Sequence, residues 1–580
     1  MADEQAALGV ATTRLEERLW ASLGQLQAAP IRFEVVQDVL KGGVLCALPA
    51  LLVLGLLRHS QNQFGLPAGF YPLETIFLCV AFLALARVPS FEALRYEPPG
   101  EWGKLLGLDR IPEVRTLRAK IEQLCVEGQP IREWSATLAQ EWMAAQPESA
   151  GTLYIDGHVR VYNGHLTELP RRYVARQRLC LRGTTDYWVN AMDGQPFFAV
   201  TQAADPGLLK VLEEQIIPRL LTDVPGQPSA EDLAAHPQRA RFTLIFDRAG
   251  YSPEFFARCW ARRIAVITYH KFPEEEWAAD EFAVRKVRLV NGEEVELELA
   301  ERGVRLKNGF WVREVRQREQ DGHQTAMLTT DYERDLAGVA VGLFARWSQE
   351  NFFQYMGQHY GLNRLIEYGT EPLPDTTVVV NPAWRRKDQE VRRERAVLVR
   401  RQAQFGALSL PALAEPEAVS VYEREKGQLL DQVQLQEKKL AQLKSERREQ
   451  PRHLTLKDLP KEERFEQLRT TKKHFVDTIK LIAYRAETAL VALVREKLSR
   501  ADDARALVRQ VFGSAVDLLP DPGNKTLTVR LHQLSCGAHD AVLEHLCAEL
   551  TATETVYPGT ELRLVFQPLR ASPIPRDQES

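Results

Sequence analysis

The amino-acid sequence predicts a multidomain α/β protein: a helical N-terminal region, a mixed-sheet core, and helical and small α/β regions toward the C-terminus. Three observations predict it. Apolar helical runs dominate residues 1–148. Short runs rich in β-branched and aromatic residues, alternating with helical runs, begin at 149. After Pro382 the sequence turns strongly charged and helical. The 580 residues suffice for about four domains at roughly 150 residues each. With 45% apolar and 26% charged residues the chain is globular in composition, not disordered.

The charge balance excludes one function class. Against 74 basic residues stand 78 acidic ones, so this is no uniformly basic nucleic-acid coat, and any DNA contact must come from local patches. Cys46, Cys79, Cys125, Cys180, Cys259, Cys536 and Cys547 are odd in number, widely spaced and free of C-x-x-C. That pattern fits neither a disulfide scaffold nor a cysteine zinc site, and points to a reducing, cytoplasmic setting. No secretory leader is expected. The apolar runs Gly42–Leu57 and Ile76–Ala86 fall short of the roughly 18 residues of a membrane span and read as buried helices, so no membrane partner is expected.

In chain order, residues 1–60 read as a helical arm ending in the first apolar helix, and 73–87 as a second. After the stop Pro98-Pro99-Gly100, Glu101–Leu108 reads as a short helix, Asp109–Ile111 as a turn and Pro112 as a helix start. The next helix carries Val114, Leu117, Ile121 and Leu124 on one face, with Arg115, Arg118 and Lys120 pointing elsewhere. Two helices joined by a tight turn, the second with basic outward residues, make 98–126 a candidate helix-turn-helix for DNA; any solvated helical hairpin shares the pattern.

From 149 the core begins. Leu153–Tyr162, Leu179–Leu181, Tyr187–Asn190 and Phe197–Thr201 read as strands, with Asp193-Gly194 a hairpin turn. Leu208–Leu221 and Pro253–Arg262 read as helices, Arg241–Phe246 and Ile264–Tyr269 as strands. Residues 276–334 form a β-rich block with turns at Asn291-Gly292, Asn308-Gly309 and Asp321-Gly322. A single long helix is expected over Gly338–Tyr360. The core therefore comprises 149–275 and 335–405. Within it Arg385–Arg401, with Arg385 and Arg386 at its start, holds eight basic and three acidic residues, enough to grip phosphates or to form a solvated helix.

Residues 406–500 form a helical region. Its loose heptad Tyr422, Leu429, Val433, Leu440 and Leu443 suits a dimerising coiled coil or an intramolecular hairpin. Residues 501–570 read as a small α/β domain, with strands near Ala515–Leu519, Thr526–Leu531 and Leu562–Phe566 and a helix at Asp540–Leu550. Residues 571–580 read as a disordered tail.

Three carboxylates break local rules. Asp156 interrupts the strand Leu153–Val159, where Asp is disfavoured unless paired or metal-bound. Asp247 ends the apolar strand Phe242–Phe246, the strand end where ligand sites of α/β sheets gather. Glu350 lies on the long helix on a face with Leu343, Arg346, Trp347 and Phe353. Singly, each has a bland explanation: a bulge, a cap, and an i,i+4 pair with Arg346. Together they make an oxygen-rich set suited to Mg²⁺ or Mn²⁺, as two ions about 3.5–4 Å apart in phosphodiester chemistry.

The segments Tyr154-Ile155-Asp156-Gly157-His158, Phe246-Asp247-Arg248-Ala249-Gly250-Tyr251 and Arg346-Trp347-Ser348-Gln349-Glu350-Asn351-Phe352-Phe353 resemble the three acidic motifs of DDE-type transposases from bacterial insertion sequences. Gly100–Ile121 and Thr553–Leu564 extend the resemblance over most of the chain. It implies an RNase H-like catalytic fold, with Asp156, Asp247 and Glu350 as catalytic metal ligands and 276–334 as a β-strand insertion before the catalytic Glu. Where one subgroup shows Tyr-x2-Arg-x3-Glu-x6-Lys, this sequence keeps Arg346 and Glu350 but has Leu343 and Gly357 at the outer positions.

The resemblance further implies Mg²⁺-dependent cleavage at the ends of a mobile element and strand transfer into target DNA, by a homodimer in a bacterial, nucleoid-associated setting. Arg115, Arg118, Lys120, Arg346, Arg385 and Arg386 are candidate DNA contacts, and Trp311 a candidate stacking plate for an unpaired base. An RNase H-like nuclease that cuts without joining, and a non-catalytic DNA-binding protein, are the alternatives.

Overall fold

The computed structural model describes residues 11–164, 169, 171–174, 179–273, 275–289, 292–410, 415–534 and 539–569; Asn291, Cys536 and the expected tail lie outside them. The chain divides into two compact units. One comprises 1–162, 172–368 and 469–580, the other 163–171 and 369–468.

The first unit is built on a mixed sheet. Nine of its ten strands are β1 (Thr152–Val161), β2 (Leu179–Ala191), β3 (Pro196–Gln202), β4 (Phe242–Phe246), β5 (Ile264–Tyr269), β6 (Ala283–Arg288), β7 (Glu294–Arg305), β8 (Trp311–Arg318) and β9 (Gln324–Thr329), and the tenth, Arg171–Val174, pairs with β2. Their order is 3-2-1-4-5-9-8-7-6. β1, β4 and β5 run parallel; β2 is antiparallel to both β1 and β3. β4 is buried along its whole length, as its unbroken apolar run requires of a parallel strand covered on both faces. The Asp193-Gly194 turn closes β2 onto β3, with Gly194 at φ +85.

The block expected as a separate insertion is continuous with this sheet. β9 pairs antiparallel with β5, and β6 to β9 form a meander beyond it. The reason is an edge: β5 offers an unpaired row of backbone groups, and β9 satisfies it.

The expected single helix Gly338–Tyr360 is two, α1 (Leu336–Phe344) and α2 (Trp347–His359). The amides of Arg346, Ser348 and Gln349 donate to Leu343, Ala345 and Arg346, a tightened i→i−3 pattern that redirects the chain. Both helices lie on the β1 face that carries the even-numbered residues. Tyr154 Oη donates to the Gly342 carbonyl at 2.6 Å, and His158 stacks on Phe353.

The apolar run Gly42–Leu57 is likewise not one helix but a 3₁₀ segment, Gly42–Ala47, followed by Leu48–Val53, with Pro49 inside its first turn. The N-terminal helices do not form a domain of their own. They pack on α3 (Thr471–Arg495), expected in the C-terminal helical region. Phe64, Phe77, Trp134 and Phe475 interlock with ring centroids 5.2–5.7 Å apart where edges meet faces. The small C-terminal sheet, Val516–Asp521, Thr526–Leu531 and Arg563–Pro568, takes Val36–Val39 as its outer strand. Residues 1–148 and 501–570 thus share cores and one sheet, because neither has enough apolar surface covered alone.

In the second unit, helices Pro382–Ala407 and Pro416–Glu449 pair antiparallel within the chain. Val391, Leu398, Val433 and Leu440 form the seam, flanked by Lys387–Glu446, Asp388–Arg447 and Glu394–Lys439 pairs. The heptad is therefore used internally. Among the described residues, six cysteines are free and no helix is long and apolar enough to cross a membrane.

One buried cation ties sheet to helices. Arg160 of β1, 1% exposed, pairs with Asp186 of β2 and, at 2.9 Å, with Asp477 of α3. Asp477→Ala leaves that guanidinium short of one partner and should cost about 3–5 kcal/mol of stability. Urea unfolding measures this; a loss below about 1 kcal/mol would show that Asp186 alone suffices.

Candidate active site

Asp156 sits midway along β1, where the strand's run of buried residues is interrupted. The strand is buried through Ile155, and Asp156 is the first partly exposed position. Asp247 follows β4 directly. Ile155 and Phe246 form the last pair of the parallel β1–β4 ladder, and Asp156 and Asp247 each follow directly after it. Asp247 also caps the turn Arg248–Gly250, its Oδ1 accepting the Ala249 amide at 2.9 Å, while its carbonyl accepts Thr268 Oγ1. The bland capping role and a place beside Asp156 are thus compatible.

Glu350 comes from the first turn of α2. Arg346, at the break before that helix, bridges two of the acids. Its Nη2 donates to Glu350 Oε1 at 2.6 Å, and its Nη1 lies 3.5 Å from Asp156 Oδ2. The Asp156 and Glu350 side chains are 25% and 35% exposed, so the group opens to solvent on one side. Burial, then the charge of Asp247, push the Asp156 carboxyl up to about 6, against the opposing pull of Arg346; Glu350 adds to the rise. The structure therefore brings Asp156, Asp247, Glu350 and Arg346 into one electrostatic neighbourhood.

The three acids are not drawn to bonding distance of a common point. Among the described residues, one group of His, Cys, Asp or Glu has its ligand atoms all within 4.8 Å: Asp38, Asp517 and His532. There Asp517 is already satisfied by Arg530 at 2.7 Å and His532 at 2.9 Å, an ion-pair cluster of the C-terminal sheet. Asp156, Asp247 and Glu350 nonetheless fit a hard divalent cation in donor chemistry: three carboxylates, mutually repelling, with one guanidinium as counter-charge.

The remaining candidates fare unequally. Val114, Leu117, Ile121 and Leu124 are buried as the periodicity requires, and Arg115 is exposed beside a cleft of about 500 Å³. Arg118 is exposed but paired with Glu92 at 2.5 Å. Lys120 does not project freely. It is half-buried near Gly69, and desolvation lowers its pKa. The helices Pro99–Leu105 and Val114–Leu124 are joined by residues 106–113, a longer link than the 3–4-residue turn of a helix-turn-helix. Trp311 is 46% exposed, its ring stacked on Tyr332 at 5.5 Å. Arg385 and Arg386 are exposed in the second unit, Arg386 paired with Glu463 at 2.7 Å.

Trp347, placed by periodicity on the apolar stripe of the helix, is 66% exposed. The stripe actually buried is Gln349, Phe352, Phe353 and Met356. Gln349 does not stand out in the sequence as a residue of this site. Its i, i+3, i+4, i+7 spacing to three large apolar residues is the signal that could have found it.

A family model described as "Transposase protein" matches residues 9–569. The chain belongs to this family. No curated protein matches this member of the family. A solved structure titled "Cryo-EM structure of piggyBac transposase synaptic complex with hairpin DNA (SNHP)" is similar over 85% of this chain and 87% of that one, at 10% identity and a TM-score of 0.28.

The raised Asp156 carboxyl has a consequence for stability. A folded pKa above the unfolded value of about 3.9 means stability present below that value and lost as pH rises through about 6. Without divalent cations, Asp156→Asn should melt at least as high as wild type at pH 8, with the advantage gone at pH 4. A mutant that melts lower at pH 8 in a thermal-shift series contradicts the like-charge reading.

Proposed function

We propose that this transposase is a DNA-cleaving and strand-transferring enzyme with an RNase H-like core, in which Asp156, Asp247 and Glu350 hold the divalent cation. One observation carries the reading. In a sheet ordered 3-2-1-4-5 with β2 alone antiparallel, the three acids come from β1, from the end of the adjacent β4 and from the helix laid over them. Residues 194 positions apart between the first and third acids and 91 between the first two are thereby brought into one neighbourhood, and the pairing Ile155–Phe246 is what sets the first two on adjacent strands.

When bound, Mg²⁺ or Mn²⁺, as one or two ions, supplies polarisation of a phosphodiester and of the water or 3′-hydroxyl that attacks it. The chain's own residues do the rest. Asp156 and Asp247 would present their carboxylates from adjacent strands, and Glu350 would complete the set from α2. Arg346, the counter-charge between two acids, is placed to meet a backbone phosphate. Arg115, Arg118, Arg385 and Arg386 offer exposed cations for double-stranded DNA, with Lys120 less accessible, and Trp311 an exposed ring edge. Joining two DNA ends calls for a homodimer in the DNA complex. Reducing conditions in a bacterial cytoplasm suit its free thiols.

The test uses DNA carrying the inverted repeats that bracket the gene, with Mg²⁺ or Mn²⁺, and scores nicking and joining separately. Asp156→Asn, Asp247→Asn and Glu350→Gln should each abolish both while DNA binding persists. Near-normal cleavage by any one removes that residue from the site. Cleavage without joining of pre-cut ends would make the protein a nuclease.

A further inference from the structure

Glu350 reaches the sheet through a helix, so its position relative to Asp156 depends on whatever fixes the start of α2. The residue beside it does this. Gln349 is 1% exposed, and its Nε2 donates to Asn190 Oδ1 at 2.9 Å and to the Trp188 carbonyl at 3.2 Å, with the Tyr154 carbonyl at 3.4 Å. These acceptors surround Asp156: Trp188 is its partner across the β1–β2 ladder, and Tyr154 precedes it by two positions on β1.

The seat continues into the β2–β3 turn. Asn190 Nδ2 donates to the Gly194 carbonyl at 2.8 Å, and Ser348 Oγ donates to the Met192 carbonyl at 2.9 Å. Gly194 allows this approach: a Cβ there would lie 2.7 Å from the Ser348 carbonyl oxygen, and its φ of +85 disfavours any side chain. A buried amide that bonds the main chain of both strands cannot slide without leaving donors and acceptors unpaired.

We propose that Gln349, seated on Asn190 and the Trp188 and Tyr154 carbonyls, is the positioning residue that holds Glu350 at its working separation from Asp156. The inference rests on the carboxylate reading above. Phe352, Phe353 and Met356 also bury the helix, but apolar contacts permit small slides that directional hydrogen bonds do not. Gln349 touches neither substrate nor cation; it acts through Glu350. Its signature is therefore the affinity of the site for cation rather than for DNA.

The experiment measures Mn²⁺ binding by isothermal titration to the full-length protein, with DNA affinity and melting temperature in parallel. Gln349→Met keeps length and volume but not the donor; Asn190→Ala removes the seat; Ser348→Ala trims a half-buried tether and leaves the core intact. Gln349→Met and Asn190→Ala should weaken Mn²⁺ binding by about 10- to 100-fold, the range seen when groups that orient metal ligands are removed, with DNA affinity unchanged. Ser348→Ala should weaken it several-fold. Mn²⁺ affinity within twofold of wild type in a folded Gln349→Met, whatever its melting temperature, overturns the proposal. If Gln349→Met and Asn190→Ala do not fold, unchanged Mn²⁺ binding by Ser348→Ala overturns it. Asp156→Asn and Glu350→Gln separate the two readings. If they still bind Mn²⁺ normally, the carboxylate site itself is wrong; if they lose binding while the seat variants keep it, only the positioning role fails.

Discussion

The guanidinium of Arg160 is sealed inside the first unit, and a buried cation is tolerated only where anions come to meet it. Asp186 arrives from β2 and Asp477 from α3. Taking such charges out of water costs several kcal/mol per ion, so the pairing does more to select one arrangement than to add net stability. Around it, Lys473 bonds Asp477 and the Leu362 carbonyl, and burial next to Arg160 drops its amine to about 7. Every element that contributes a charge to this group has its place set by the others. The helical layer cannot be shifted along the sheet without stranding one of them.

Arg160 and Asp156 share β1 and, four positions apart, share one of its faces. The C-terminal part of the strand is thus clamped by ion pairs, while the carboxylate sits mid-strand, where the run of buried residues ends. Between them His158 stacks on Phe353 and meets Asn363. A second polar group fixes the far side of α2: Glu487 of α3, fully buried, accepts Tyr355 and Tyr360 Oη at 2.5 Å each and pairs with Arg87 at 2.8 Å. Rigid polar anchors at both ends of the strand–helix contact leave little slack at the acids, which is what close placement of like charges demands.

Much of this was legible in the sequence, for local reasons. β4 announces itself by five apolar residues in a row, and Asp193-Gly194 by its turn chemistry. Asp156, Asp247 and Glu350 stand out because each violates a propensity or a pattern, and the structure sets them in one electrostatic neighbourhood without drawing them to a common point. What stayed hidden depends on distant partners. Nothing near Arg160 foretells Asp477, more than three hundred residues on. The break before Trp347 does not show in a run that is helical on either side, and it turned Gln349, not Glu350, onto the apolar stripe. Lys120 looked solvent-facing because a helical wheel knows nothing of the loop around Gly69. The block 276–334 read correctly as strands, but pairing with β5 is a property of an unsatisfied edge, not of composition.

The strand Val36–Val39 lies beside Val516–Asp521, and the amide of Asp38 donates to Asp517 479 positions later. Pairings this far apart in the chain are slow to close, since the loop entropy is lost before the contact forms. During synthesis the early apolar segments, Gly42–Val53 and Leu73–Leu85, must wait for α3 and the last sheet to emerge from the ribosome before they are covered. A nascent chain that has not yet reached α3 therefore leaves these apolar segments uncovered. The early segments thus find their cover only when α3 and the strands of the small sheet have been made.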